Sequence, residues 1–428
     1  MNNQKKNNRP LAIDLFAGCG GMSLGIEAAG FDIVASVEID PIHCLIHHFN
    51  FPYSVNICQD ITKVDSKDIF EKIKAKGFSQ NIDLIAGGPP CQGFSLIGKR
   101  QLDDPRNHLV VEYLRIIKEI RPKYFLFENV PGIGKGKHRQ FLEELIDLFS
   151  QNGYDIVQPF SILDAANFGA PQNRKRLILI GYRQDVPKPK YPNYNYGNSQ
   201  NKSACQPLTT VKDVLADLAD IPVFTDVDRG INAQKLNYEG FRANYTLSTE
   251  NKFRLCHRRQ TNGKIWGHIA SKHQPQSIKR FQQTLPGKVE KISRFFKLSA
   301  DGLSNTLRAG TASNKGAYTA PRPIHYKHPR CITVREAARL HGFPDWFQFH
   351  HTIWHGFREI GNAVVPFLAK SLGEEIIKCL EIDTEQTIIR DLEYVDEKIL
   401  SFNMSQACKY WHVPNDRIAK RTRIKYLS

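Results

Sequence analysis

Short apolar runs alternate with amphipathic stretches along the first 190 residues. LAIDLFA (11–17) closes on Gly18-Cys19-Gly20-Gly21, and MSLGIEAAG follows with helical spacing and stops at Gly30. FDIVASVEID (31–40), NIDLIAGG (81–88) and KYFLFENV (123–130) share one form, β-rich and apolar with acidic or glycine residues at the end. LVVEYLRIIKEI (109–120) reads as an amphipathic helix and RLILIGYR (176–183) as a further buried strand. Strands apolar on both faces, alternating with helices, predict an α/β fold with a doubly wound, mostly parallel sheet over 11–187.

The pattern changes near residue 187. PKPKYPNYNYGNSQNKSACQP (187–207) is rich in Pro, Asn, Tyr and Ser and reads as a linker or loop. The alternation is then lost until about residue 330. ITVREAARLHGF (332–343) predicts a helix closed by Gly342, and Ile360-Gly-Asn-Ala-Val-Val-Pro366 leads into a second amphipathic helix over 367–382. The basic stretch KYWHVPNDRIAKRTRIKYLS (409–428) is weakly patterned.

Four places carry candidate chemistry. A strand, a glycine-rich turn and a helix set backbone N–H groups against a nucleotide-like ligand. The nicotinamide spacing G-x-G-x-x-G is broken, because Ser23 stands where the third glycine belongs. Glu38, ending the second strand, can accept hydrogen bonds from ribose hydroxyls of any adenosine cofactor. Gly87-Gly88-Pro89-Pro90-Cys91-Gln92-Gly93-Phe94-Ser95 is a rigid exit from a strand, with a thiol at the carboxyl edge where such sheets place active sites. The polar stretch 96–109 has the composition of a mobile loop over a site. Glu128 ends a strand and can serve as a proton donor. In Gln172-Asn173-Arg174-Lys175-Arg176, strand alternation is expected to put Arg174 and Arg176 on one side, as two forked donors for a carbonyl or phosphate. Taken singly, the glycine turn also fits an ordinary tight turn, and the arginines a solvated basic edge.

In chain order, Asp14-Leu-Phe-Ala-Gly-Cys-Gly-Gly21, Pro-Pro-Cys91-Gln-Gly-Phe-Ser95, Glu128-Asn-Val, Gln172-Asn-Arg-Lys-Arg176, REAARLHGFP and Gly361-Asn-Ala-Val-Val resemble a bacterial DNA (cytosine-5) methyltransferase of the restriction–modification type. The motifs cover about residues 11–380. The resemblance implies an S-adenosylmethionine-dependent methyltransferase Rossmann-like fold with a second, smaller target-recognition domain. The expected division is 11–187 catalytic, 188–344 target-recognising, 345–382 a return segment completing the catalytic domain, and 383–428 a basic extension.

The resemblance further implies that S-adenosylmethionine is held by Phe16, Gly18, Gly20, Gly21, Glu38, Ile39, Asp60, Asn362 and Val364, with no metal. Cys91 matches the nucleophile and Glu128 the group at cytosine N3. Arg176 matches the group at O2, with Arg174 alongside. Ser95 and Thr306 match DNA contacts. The implied partner is double-stranded DNA, with a cognate restriction endonuclease acting separately on the same sequence. The chain is expected to be a monomer in the cytoplasm, with no membrane association.

Composition narrows this further. The 428 residues carry a net charge of +16, with 41% hydrophobic residues, which fits a globular protein of two or three domains. The polar start MNNQKKNNRP has no apolar signal core, and nine dispersed cysteines suit a reducing compartment rather than a disulfide framework or a CxxC zinc site. The charge is concentrated. Residues 252–297 hold 12 Lys/Arg against one acid, and 409–428 hold six against one. Arg254, Arg258, Arg259, Lys264, Lys272 and Arg280 are therefore candidate DNA contacts, and Asn262, Gln274 and Gln276 candidate base readers.

Overall fold

The structure, a computed structural model, describes residues 9–78, 81–90, 108–134, 139–197, 205–223, 231–232, 264–310, 322–382 and 394–416. An eight-stranded sheet forms its centre. β1 (Leu11–Leu15), β2 (Asp32–Glu38), β3 (Val55–Cys58), β4 (Ile82–Gly87) and β5 (Tyr124–Asn129) run parallel. β6 (Tyr154–Ile156), β7 (Ser161–Asp164) and β8 (Lys175–Arg183) join antiparallel, β8 pairing with β5 and with both of the others. The order is β3-β2-β1-β4-β5-β8-β6, with β7 against β8. β1 and β4 are buried along their whole length, which is why they appear as unbroken apolar runs.

Helices cover both faces. α1 (Gly21–Ala29), α2 (Pro41–Asn50), α3 (Ser66–Ala75), α4 (His108–Ile120) and α5 (Arg139–Gln151) follow successive strands. Later in the chain come α6 (Val211–Ala219), α7 (Pro275–Gln283), α8 (Val334–Leu340), α9 (Ile353–Asn362), α10 (Pro366–Leu380) and α11 (Met404–Tyr410). α10 returns to pack against α1. A side-chain carbon at Gly25 would collide with the Pro366 carbonyl and Ala369, and one at Gly373 with Ala29, so only glycine lets these two helices approach so closely.

Two apolar clusters divide the described residues. The large one runs through the sheet and takes in Val211, Leu215 and Leu218 of α6, Ala337 and Leu340 of α8, and Ile360 of α9. The small one comprises Phe281, Ile324 and Cys331, with Phe295 against it. α6 and α8 are pinned by a buried ion pair: Arg339 bonds Asp217 at 2.7 Å and Asp345 at 2.6 Å.

Of the weakly patterned stretch 409–428, residues 409–416 are described, together with 394–408 before them. α11 opens on a reciprocal cap between Asn403 and Gln406. Val395, Ile399, Leu400 and Ala407 enter the large cluster, and this segment lies along α2. Among the described residues, no helix is long and apolar enough to cross a membrane.

Candidate active site

The carboxyl ends of β1, β2, β4 and β5 share one edge of the sheet, where β8 begins. β1 leaves the sheet through a left-handed turn, with φ of +60° at Phe16, +56° at Gly18 and +101° at Gly20. The three glycines serve different ends. A side-chain carbon at Gly20 would strike Phe51 and His47, and one at Gly21 would strike the Val364 carbonyl and Ala363. At Gly18 it would meet no described atom within 4 Å. Gly20 and Gly21 are thus required by protein packing, and Gly18 faces open space.

Glu38 closes this turn from the side. Its carboxylate accepts the Gly18 N–H and the Asp40 N–H, each at 2.8 Å. Ile39, 38% exposed, points outward. Asp60, half-buried at the end of β3, accepts the Thr62 N–H at 3.1 Å. Asn362 is exposed at the end of α9, while Val364 is buried against Gly21. All nine residues expected to hold the cofactor therefore lie at or beside this edge.

Beneath the turn lies a buried polar relay. Ser23 Oγ donates to Asp14 at 2.6 Å and lies 2.9 Å from His47 Nε2, and His47 Nδ1 meets Asn56 Oδ1 at 2.6 Å. Burial pushes the Asp14 carboxyl up to about 7, against the Ser23 hydrogen bond that lowers it. A carboxyl raised above its unfolded value stabilises the fold at low pH, and that contribution is lost as pH rises from about 4 through about 7. Asp14→Asn removes the titration. The melting midpoint of the variant minus that of the parent is expected to grow between about pH 5 and pH 8; a constant difference would exclude the raised carboxyl.

On the other side of the edge, Glu128 and Arg176 are paired, Arg176 Nε donating to the Glu128 carboxylate at 2.7 Å with both side chains mostly buried. Gly88 lies hard against this carboxylate, since a side-chain carbon there would come within 2.8 Å of Glu128 Oε2. Asn129 Nδ2 donates to the Pro89 carbonyl at 3.1 Å and fixes the Pro89-Pro90 exit to the end of β5. Cys91, which follows Pro90, lies outside the described residues, as do Ser95, Arg254, Arg258, Arg259, Asn262 and 96–107 of the stretch expected to cover the site. Residues 108 and 109 of that stretch open α4.

Arg174 departs from expectation. β8 starts at Lys175, so Arg174 precedes the pleat and does not share a face with Arg176. Its buried guanidinium donates to the carbonyls of Leu307 at 2.8 Å, Gly361 at 3.0 Å and Ala363 at 2.9 Å. Burial, aided by the Arg176 charge, lowers it to about 9. Gln172 works the same seam, accepting the Leu307 N–H and donating to the Leu340 carbonyl. Only the last arginine of the motif reaches Glu128; the first half ties distant segments together. Thr306, expected at DNA, donates its hydroxyl to the Asn173 carbonyl at 2.6 Å.

The basic middle segment is sorted as well. Lys264 is described only as backbone, in a two-residue antiparallel pairing with 231–232. Lys272 is exposed, whereas Arg280 is engaged by Glu290 at 3.4 Å and by Ser277. Buried Glu290 accepts the N–H groups of Ile292 and Ser293 at 3.1 and 2.6 Å, shaping a tight turn in which Arg294 has φ of +60°. Its tip presents Lys291, Arg294 and Ile292, the last 70% exposed. No sequence signal beyond charge marks this tip. Among the described residues, no cluster of three or more His, Cys, Asp or Glu could hold a metal ion.

A doubly wound sheet with an open glycine turn, an acid after the second strand and a carboxylate–arginine pair beside the Pro89-Pro90 exit describes an α/β transferase acting at the carboxyl edge. The chain belongs to the C-5 cytosine-specific DNA methylase family, which it matches over residues 11–378, and is a DNA (cytosine-5-)-methyltransferase. It is 46% identical to the Type II methyltransferase M.XorII of Xanthomonas oryzae pv. oryzae, over 97% of this chain and 95% of that protein. Type II methyltransferase M.DdeI of Desulfomicrobium norvegicum is 33% identical over 85% and 88%. A solved structure from an E. coli prophage, described as a DNA modification methyltransferase, superposes with a TM-score of 0.66 at 34% identity, covering 87% of this chain and all of that one.

Proposed function

We propose that the chain methylates C5 of a cytosine within a specific short double-stranded DNA sequence, with S-adenosylmethionine as donor, and thereby protects host DNA from a cognate restriction endonuclease. The observation that carries this reading is the Glu128–Arg176 pair, 2.7 Å apart beside the strand exit that leads to Cys91. The open face at Gly18, with Glu38 at its side and Asp60 and Ile39 beyond, fits an adenosine-bearing group. When bound, S-adenosylmethionine supplies an electrophilic methyl group.

C5 of cytosine is a poor nucleophile. Attack of the Cys91 thiolate on C6 forms a C–S bond and leaves an enamine, whose C5 can accept the methyl group. Negative charge builds on the N3 and O2 side of the ring. A protonated Glu128 would donate to N3, and the Arg176 guanidinium would stabilise O2. The Glu128–Arg176 pair is thus a resting partnership that the incoming base would divide between two of its edges. Loss of the C5 proton to water then lets Cys91 leave. C6 is stacked inside duplex DNA, so the nucleotide has to be flipped out, costing a few kcal/mol.

Target recognition falls to 188–344, and within it the tip 291–294 is braced for contact with DNA. Replacing Lys291 and Arg294 with Gln is expected to weaken duplex binding and to lower the log–log salt slope by about 2, close to one per phosphate contact. An unchanged slope in a salt titration would move the DNA face elsewhere.

The reaction itself is tested by assaying methyl transfer to duplex DNA and to tRNA side by side. Transfer confined to tRNA overturns the reading. Mapping 5-methylcytosine in host DNA after expression gives the target sequence.

A further inference from the structure

The segment 394–416 lies beyond the residues matched to the family, and none of the chemistry above uses it. It is nevertheless tied to the glycine turn by two separate chains of contacts. In the first, Trp411 Nε1 donates to the Pro41 carbonyl at 3.1 Å, in the first turn of α2. Asp40 caps that turn by accepting the Ile42 N–H, and its own N–H is bound by Glu38, whose other oxygen holds the Gly18 N–H. In the second, the Phe402 carbonyl accepts from His350 Nε2 at 2.9 Å. The His350 N–H is held by Glu359 at 3.0 Å, and the Glu359 carbonyl meets the Cys19 thiol at 3.6 Å. The two routes share no residue and end at neighbours, Gly18 and Cys19.

The segment is also anchored firmly enough to transmit position. Val395, Ile399, Leu400, Ala407 and Cys408 are buried, and the Leu400 carbonyl accepts the His351 N–H at 2.9 Å. The His48 ring lies 5.6 Å from Trp411 and 6.1 Å from Tyr410. On the far side of Trp411 a cavity of about 340 Å³ separates 411–413 from Asn56–Gln59 and α3. The indole N–H on Pro41 ties this end of the segment to the start of α2.

We propose that 394–416 is an intramolecular clamp that sets the geometry of the cofactor turn, with Trp411 as a positioning residue acting through Asp40 and Glu38. The inference rests on the reading of that turn as the S-adenosylmethionine site. It gives the C-terminal segment a role in cofactor affinity rather than in DNA binding or chemistry.

The test is a double-mutant cycle in the full-length protein, read by S-adenosylmethionine titration and by steady-state kinetics. Trp411→Phe keeps an aromatic ring beside His48 and Tyr410 and removes the donor. It is expected to raise the cofactor Kd and KM about fivefold, as for loss of one hydrogen bond, with kcat at saturating cofactor and KM for DNA within about twofold of the parent. In the Glu38→Gln background the same substitution is expected to add little, because the route passes through that carboxylate. His350→Gln, on the other route, is expected to weaken cofactor binding in both backgrounds. The clamp is overturned if Trp411→Phe binds cofactor as tightly as the parent, or if its effect persists in full with Glu38→Gln. A parent that binds no S-adenosylmethionine overturns the cofactor reading as well, which separates the two failures.

Discussion

Cys91→Ser is expected to lower kcat for methyl transfer by at least about three orders of magnitude while leaving cofactor and DNA affinity near the parent values. The alkoxide needed for attack on C6 is far less accessible at neutral pH than the thiolate that the proposed mechanism assigns to Cys91. Binding does not depend on the C–S bond, so affinity and rate should separate cleanly. A variant that transfers methyl groups as fast as the parent would remove covalent attack from the mechanism. The Pro89-Pro90 exit, fixed by Asn129, would then need another purpose.

The two arginines of Gln172-Asn-Arg-Lys-Arg176 should fail in opposite ways. Arg174→Ala leaves the carbonyls of Leu307, Gly361 and Ala363 buried without their donor. It is expected to cost about 3–5 kcal/mol of stability, visible as a large fall in melting midpoint. Arg176→Ala removes the partner of Glu128 and, in the proposed mechanism, the charge at O2, so kcat should drop about a hundredfold with a fall in midpoint smaller than that of Arg174→Ala. Arg174→Ala with an unchanged midpoint, or Arg176→Ala with unchanged kcat, would reverse the division of labour between them.

That division marks the limit of what the sequence makes legible. The parallel strands are readable because burial on both faces leaves unbroken apolar runs such as Ile82–Gly87. β6 and β7, three and four residues long, carry too little pattern. Glu128 and Arg176 can be singled out as strand-end residues, but Arg174 looks equivalent until the start of β8 is known. Its partners are 133 to 189 residues away, a separation that local spacing does not encode. The C-terminal helix was more accessible than its composition suggests. Asn403 and Gln406 form a capping box, a three-residue signal hidden by the basic stretch after it. In the middle segment, charge points to a surface without ranking its members. Glu290, the lone acid of 252–297, separates them by shaping one turn and engaging Arg280 while Lys291 and Arg294 stay exposed.

The packing of α10 on α1 and of Val364 on Gly21 has a consequence for synthesis. The first strand, its glycine turn and α1 leave the ribosome early, yet the surfaces that cover them lie some 340 residues later, as Cys19 and Glu359 illustrate. At ordinary elongation rates that interval is roughly 20–70 s. Throughout it the apolar face of α1 around Gly25 waits without its partner, and the cofactor turn stays unsupported on that side. Interrupted chains are therefore expected to remain inactive however much of the sheet they contain. The nascent protein cannot begin modifying DNA until the return helix has emerged.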